Sequence, residues 1–348
     1  MVKDMVRDIT LTDALDLQRT KAHILVDVRS PKEFEEATIP GSLNIPIFTD
    51  EERAEVGTLY KQVGKQAAMD RGLMIFSRKL PSFIKAFQQI ESPITVFCWR
   101  GGMRSKTAVT VLELMGIRAN RIIGGIHTYR QWVIKRLGEP FTPQLLVLNG
   151  YTGSGKTKIL HKLREDGYPV IDLEGMAGHR GSIFGQIGVK PNNQKRFEML
   201  LAEKLVEYAD QPYVFIEGES KRIGQVHMPP ELYEKKEQSS QWIIQLPTAV
   251  RVEEILSEYE PDKNPSKFLE AFELIRKRIH QPIAMQIQND LENGRFAEAV
   301  EQLLTYYYDP QYEHSVARFA KSGEHVIQVD TVQEAYEECL ERYKELAK

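Results

Sequence analysis

The fifteen residues from Ile94 to Ala108, ITVFCWRGGMRSKTA, decide how the first half of this chain folds. The β-formers Ile94, Thr95, Val96 and Phe97 run up to Cys98. Gly101 and Gly102 then open a loop, and Arg104-Ser105 lead into the apolar-periodic Thr107, Ala108, Val109, Val111 and Leu112. The pattern is strand, tight loop and helix, with a lone thiol at the top of the strand. Successive backbone N–H groups in such a loop point inward and the helix N-terminus adds partial positive charge, so the loop is an anion nest with a sulfur at its base. That field is expected to favour the Cys98 thiolate, and Arg104 adds a planar donor fork for an oxyanion. Five residues separate Cys98 from Arg104. A loop of that width accepts a tetrahedral anion, which leaves two chemistries open: uptake of a chalcogen on the sulfur, or a phosphocysteine.

Working outward, Asp8 to Arg19 has the spacing of a short helix, and Ile24 to Arg29 reads as a compact strand ending in charge. Ser30-Pro31 starts a helix over Glu33 to Ala37, and Ile39 to Pro46 is a turn feeding another short strand. Glu51 to Gln89 is mostly helical. Beyond the Cys98 loop the helix runs to about Met115 with Gly116 as its cap, and Arg121 to Ile126 reads as a strand and turn. The segment Gly138 to Pro143, GEPFTP, is a punctuated linker, so the expected domains are 1–138 and 139–348.

After the linker, the buried-type strand Leu145 to Asn149 runs into Gly150-Tyr151-Thr152-Gly153-Ser154-Gly155-Lys156-Thr157, followed by a helix carrying Ile159, Leu160 and Leu163. This is a phosphate-binding loop in its required context. Its amides wrap a di- or triphosphate, Lys156 neutralises the outer charge, and Thr157 reaches a Mg²⁺ ion. Further strands are expected at Tyr168 to Leu173, Tyr213 to Glu217, Trp242 to Leu246 and His325 to Val329, with a last helix from Thr331 to Leu346. The fold class is therefore α/β, ending in a doubly wound parallel-sheet domain. Asp172 and Glu174 end one strand where a ligand would sit, and Glu217 and Glu219 end another. Asp172 and Glu217 are the candidate Mg²⁺ partners, with helix capping or a solvated strand end as the alternative for each carboxylate. In DLEGMAGHRGSIFG, from Asp172 to Gly185, four glycines surround His179 and Arg180. They make a mobile polar loop fit to close over a phosphate or a base, or else a plain surface loop.

Two domains suit 348 residues and 40.0 kDa. With 42% hydrophobic and 27% charged residues and no apolar run long enough to span a bilayer, the composition is that of a globular chain without a membrane segment. The start MVKDMVRDIT lacks an apolar signal region, which leads to the expectation of a cytoplasmic protein. Two cysteines, Cys98 and Cys339, argue against a disulfide framework, and Cys339 shares a helical face with Val332, Ala335, Tyr336, Leu340 and Tyr343. A net charge of -3 means that RNA binding needs a local basic face, for which Arg118–Arg130, Lys190–Arg196 and Arg276–His280 are candidates. No structural metal site is expected.

The order strand, Asp27-x-Arg29, Ser30-Pro31-x-Glu33-Phe34, Ile39-Pro40-Gly41-Ser42-x-Asn44-Ile45-Pro46, then a strand ending in Cys98 with a Gly-rich loop, resembles the rhodanese domain. The spacing from Cys98 to Arg104 is one residue longer than the common rhodanese loop and equals that of cysteine phosphatases. A rhodanese-like half carrying Cys98-Trp99-Arg100-Gly101-Gly102-Met103-Arg104-Ser105, fused to a phosphate-loop half carrying DLEGMAGHRGSIFG, resembles the tRNA 2-selenouridine synthases over nearly the whole chain. That resemblance implies an enzyme acting on wobble 2-thiouridine of tRNAs for Lys, Glu and Gln. It implies S-geranylation with geranyl diphosphate and then replacement of the geranylthio group by selenium from selenophosphate. It also implies that Cys98 carries selenium as a selenosulfide while the loop amides and Arg104 hold phosphate, with the selenophosphate-producing enzyme as a further partner. The phosphate loop suits geranyl diphosphate as well as ATP. Trp99 either stacks a flipped base or packs on the core. Two other classes stay open on the residues alone: a kinase fused to a cysteine phosphatase, and a regulator whose phosphate loop is a nucleotide switch.

Overall fold

The computed structural model describes residues 6–182, 184–185, 189–316 and 324–348. Of the segment from Asp172 to Gly185, Ile183 lies outside the described residues. The chain divides into Met1–Arg136 and Leu137–Lys348.

The first unit runs β1 (Val6–Ile9), α1 (Leu11–Arg19), β2 (Ile24–Asp27), α2 (Pro31–Glu36), β3 (Leu43–Asn44), α3 (Asp50–Gln62), α4 (Lys65–Gln88), β4 (Ile94–Phe97), α5 (Met103–Leu114) and β5 (Ala119–Ile122), with α6 (Gly125–Leu137) at the boundary. Its sheet has the order β1-β5-β4-β2-β3, with all pairs parallel. Every residue of β4 is buried, as a parallel strand covered on both faces requires. The stretch from Asp8 to Arg19 is not one helix. Asp8 and Ile9 pair with Arg121 and Ile122 of β5, and Thr10 starts α1 by accepting from the Asp13 amide while Asp13 returns the bond. The turn expected after β5 continues directly into α6. Asp27 and Arg29 form a buried ion pair at 2.6 Å. Arg29 also reaches the Ala37 carbonyl, and Asn44 bonds the carbonyls of both positions. These motif residues staple β2 to the loop before β3; a buried pair with every charge bonded fixes geometry more than it adds stability.

The second unit runs β6 (Gln144–Gly150), α7 (Lys156–Glu165), β7 (Val170–Ile171), α8 (Leu173–Ala177), α9 (Gln194–Glu207), β8 (Tyr213–Glu217), the hairpin β9 (Arg222–Ile223) and β10 (Val226–His227), α10 (Pro230–Glu237), β11 (Ser240–Gln245) and α11 (Thr248–Tyr259). A helical insertion follows: α12 (Pro265–Glu273), α13 (Gln281–Glu292), α14 (Phe296–Leu303), a π-helical turn over Leu304–Tyr308, and α15 (Asp309–Val316). The chain closes with β12 (Glu324–Gln328) and α16 (Val332–Leu346). The five-stranded sheet is parallel, in the order β12-β11-β6-β8-β7. With β6 central and neighbours entered from either side, the switch point lies where a ligand binds at the strand C-termini. The strand expected over Tyr168 to Leu173 is only two residues long, because Leu173 already belongs to α8. Cys339 is fully buried, and burial pushes its thiol up to about 12, as its helical face predicts. The insertion has its own core, joining Phe268, Phe272, Ile287 and Leu303 to Ile255 of α11.

Candidate functional site

In the first unit β4 delivers Cys98, which is 3% exposed, to the floor of a loop whose rim carries the exposed Trp99 and Met103. The Cys98 Sγ lies 3.2 Å from the Ser105 Oγ in the first turn of α5. The loop is tied at its back: Ile126 and His127 donate their amides to the Cys98 and Trp99 carbonyls at 2.9 Å, and Arg121 donates to the Gly101 carbonyl at 3.1 Å. The amides of Arg100, Gly101 and Gly102 donate to no acceptor among the described residues, which leaves them for an anion together with the helix N-terminus. The Trp99 ring stands edge-on to His127 at 6.3 Å and is 44% exposed rather than packed in the core.

Arg104 is paired with a carboxylate of α2. Its Nη1 donates to Glu33 Oε2 at 2.5 Å and its Nη2 to Oε1 at 3.3 Å. Its charge is therefore compensated from α2 rather than held open for a ligand. Burial raises the Glu33 carboxyl, but the hydrogen bond and charge of Arg104, the Ser30 amide and Arg53 outweigh it and keep Glu33 below its usual range. Sequence spacing gives no hint of a pair 71 positions apart; the only signal is that Glu33 sits in the Ser-Pro-x-Glu motif.

In the second unit Gly150, Gly153, Ser154 and Gly155 form the turn between β6 and α7, the three glycines with positive φ and Gly155 at the N-cap. Lys156 Nζ donates to the Gly150 carbonyl at 2.9 Å, and the Thr157 hydroxyl donates to Glu174 Oε2 at 3.0 Å. Asp172 is not the carboxylate at this point. It caps α8 by accepting from the Gly175 amide and bonds His161 and Arg164; burial raises its pKa, but these partners overcome that and lower it. The acidic residues that converge here are Glu174, Glu217 and Glu219. Glu217 Oε2 accepts the Glu174 amide at 2.7 Å, while its buried Oε1 has no partner among the described residues. Burial first, then the charge of Glu219, pushes Glu174 up to about 9, and burial with the charge of Glu174 drives Glu217 well upward. No spacing in the sequence separates Glu174 from Asp172 at this point; Asp172 is only a residue type that commonly caps a helix.

The loop with His179 and Arg180 folds back over these carboxylates. Gly181 has φ +65°, and a Cβ there would lie 2.2 Å from Glu174 Oε1, so glycine permits the close pass. Arg180 reaches α11: Nη1 donates to the Glu258 carbonyl at 3.2 Å, and the guanidinium lies over the Tyr259 ring. His179 Nδ1 accepts the Gly181 amide, and burial lowers its pKa. Arg251, which sequence reading missed, is 3% exposed and joins the Thr152 carbonyl, at 2.9 Å, to Asp309, at 2.6 Å.

No group of three or more His, Cys, Asp or Glu side chains among the described residues is arranged to hold a metal ion. The Thr157 hydroxyl, Glu174 and the partnerless Glu217 Oε1 nevertheless offer hard oxygen donors beside the phosphate loop. They suit a Mg²⁺ ion that takes its other ligands from phosphate and water. No helix among the described residues is long and apolar enough to cross a membrane.

Comparison with known proteins agrees with both halves. Residues 143–345 match the tRNA 2-selenouridine synthase AAA domain family, and residues 10–131 match the rhodanese-like domain family. The tRNA 2-selenouridine synthase of Bdellovibrio bacteriovorus is 32% identical over 339 residues, covering 84% of this chain and 89% of that protein. The enzyme of the same name from Nitrosomonas eutropha is 33% identical over 349 residues, covering 84% and 88%.

Proposed function

The chain belongs to the tRNA 2-selenouridine synthase family and is a tRNA-modifying enzyme, and from that premise we propose that its two anion loops divide the reaction between them. The phosphate loop takes the diphosphate of geranyl diphosphate. The thiocarbonyl sulfur of wobble 2-thiouridine, in tRNAs for Lys, Glu and Gln, attacks the allylic carbon. A sulfur–carbon bond forms, the carbon–oxygen bond breaks with its electron pair leaving on pyrophosphate, and the base loses its N3 proton. Lys156, now bonded to the loop's own Gly150 carbonyl, turns to the departing pyrophosphate and stabilises its charge. Thr157 and Glu174 would hold a Mg²⁺ ion there, and when bound it would supply further charge neutralisation.

The Cys98 loop serves the second step. Carbon–sulfur is exchanged for carbon–selenium, geranylthiol departs, and selenophosphate with water gives up its phosphoryl group as phosphate. The unengaged amides of Arg100, Gly101 and Gly102 hold that phosphoryl group while the Cys98 sulfur attacks phosphorus: the phosphorus–selenium bond breaks, the selenide released displaces the geranylthio group at the base, and water hydrolyses the phosphocysteine to phosphate. The exposed Trp99 offers a stacking face for the splayed base. An enzyme of tRNA works in the cytoplasm in this reading.

The observation that carries the proposal is the presence of two separate anion cradles, one with a thiol at its floor and one with a lysine. It is tested by assaying Cys98→Ala and Lys156→Ala separately, with mass spectrometry of tRNA nucleosides. Cys98→Ala is expected to accumulate the S-geranyl nucleoside and Lys156→Ala to leave 2-thiouridine unmodified. Loss of geranylation in Cys98→Ala, with selenation of pre-geranylated tRNA intact, overturns the division.

A further inference from the structure

Three carbonyls of the Cys98 loop are held by β5 and α6. Those of Cys98 and Trp99 accept from the Ile126 and His127 amides at 2.9 Å, and that of Gly101 accepts from the Arg121 side chain at 3.1 Å. No peptide bond among the described residues is cis, and a trans peptide sends its C=O and N–H in opposite directions. Each held carbonyl therefore turns the amide that follows it, of Trp99, Arg100 or Gly102, away from β5 and α6. We propose that Arg121 is a positioning residue for the anion site: by holding the Gly101 carbonyl it keeps the Gly102 amide aimed at a bound phosphoryl oxygen. The inference rests on the reading of the Cys98 loop as an anion cradle and adds which side chain keeps that cradle in shape.

Three observations carry it. The peptide that Arg121 holds joins Gly101, at φ +62°, to Gly102. With no Cβ on either side it is the peptide of the loop most able to turn over, and its carbonyl accepts from no backbone amide among the described residues. Arg121 is itself aimed: Nε and Nη2 donate to the two carboxylate oxygens of Asp8 at 2.7 and 2.5 Å, which leaves Nη1 for Gly101. Asp8 stands directly opposite Arg121 in the β1–β5 register, so the short edge strand sets the direction of the guanidinium. Finally, the pair is ionised on both sides. The hydrogen bond from Arg121 outweighs burial and holds Asp8 below the usual carboxylate range, and the Asp8 charge offsets that of Arg121. What Arg121 gives the loop is therefore geometry more than attraction for an anion.

The test follows alkylation of Cys98 by iodoacetamide in the full chain, read by mass spectrometry, and finds the inorganic phosphate concentration that halves the phosphate-free rate. Arg121→Met is expected to raise that concentration about tenfold, as loss of one aimed donor to a charged acceptor does. Arg121→Lys keeps the charge without the fork that spans Asp8 and Gly101, and is expected to recover no more than about threefold of the loss. Asp8→Ala removes a negative charge but leaves Arg121 unaimed. Positioning predicts that phosphate then protects Cys98 about threefold less well, whereas an Arg121 that acts only by attracting anions predicts better protection. Better protection in Asp8→Ala, or full recovery in Arg121→Lys, overturns the proposal. So do variants whose urea midpoints fall while their protection curves stay on that of wild type, the mark of a role in stability alone. Wild-type protein that phosphate does not protect overturns the cradle reading on which the proposal rests.

Discussion

The guanidinium of Arg104 is bound through both terminal nitrogens by the carboxylate of Glu33, at 2.5 and 3.3 Å, with each side chain only 19% exposed. Glu33 stays ionised, so an oxyanion entering the Cys98 loop competes with it for Arg104. Glu33→Gln removes that competition. Phosphate is then expected to protect Cys98 from alkylation by iodoacetamide at about tenfold lower concentration, equivalent to about 1.4 kcal/mol. An unchanged protection curve excludes the competition.

The carboxyls of Glu174 and Glu217 hold protons in the fold at pH values where the unfolded chain has released them. Their contribution to stability is complete below the ordinary value of 4.5 and is lost as pH rises above it, for Glu174 toward about 9. The thermal midpoint of the metal-free protein should therefore fall over that window. Glu217→Gln keeps the buried shape without the charge and should flatten the fall, leaving the variant a few degrees more stable than wild type at the alkaline end. A variant whose midpoint follows pH as wild type does would refute the assignment.

Gly125 and Gly124 look equivalent in sequence and differ in what surrounds them. Both have positive φ, +57° and +75°. An added Cβ at Gly125 would lie 2.1 Å from the Cys98 carbonyl oxygen, whereas at Gly124 it would meet the Thr128 hydroxyl, at 1.9 Å, which can rotate away. Gly124→Ala is expected to cost about 1–2 kcal/mol from backbone conformation alone. Gly125→Ala adds an overpacking cost and should reach about 3 kcal/mol, with Cys98 alkylation altered as well. Equal unfolding midpoints in urea for the two variants would contradict this.

Arg251→Met leaves the Asp309 carboxylate without its partner and frees the Thr152 carbonyl. With Arg251 at 3% exposure, the loss is expected to be about 3–5 kcal/mol. Because much of that cost is the uncompensated charge, Asp309→Asn in the Arg251→Met background should recover about 1–2 kcal/mol, read from a double-mutant cycle in denaturant. Additive effects would mean that the pair does not act as a unit.

Local pattern determined much of this protein. The run from Ile94 to Phe97 into Cys98, and that from Leu145 to Asn149 into Lys156, each specify strand, loop and helix, because period and glycine placement act over a few residues. The α/β class, the two loops and the burial of Cys339 follow from such patterns. The short strand at Val6–Ile9 was not legible, since it takes its identity from pairing with Ala119–Ile122. Nor was the exchange of Asp172 for Glu174 beside Thr157, which depends on a five-residue helix turning one carboxylate inward and using the other as its cap. Only the tertiary structure decided that Arg104 faces Glu33, that Arg180 lies on Tyr259 and that Arg251 ties the phosphate loop to the π-helical turn. Each of these contacts joins residues tens of positions apart, and no periodicity encodes a contact that exists only once two elements have packed.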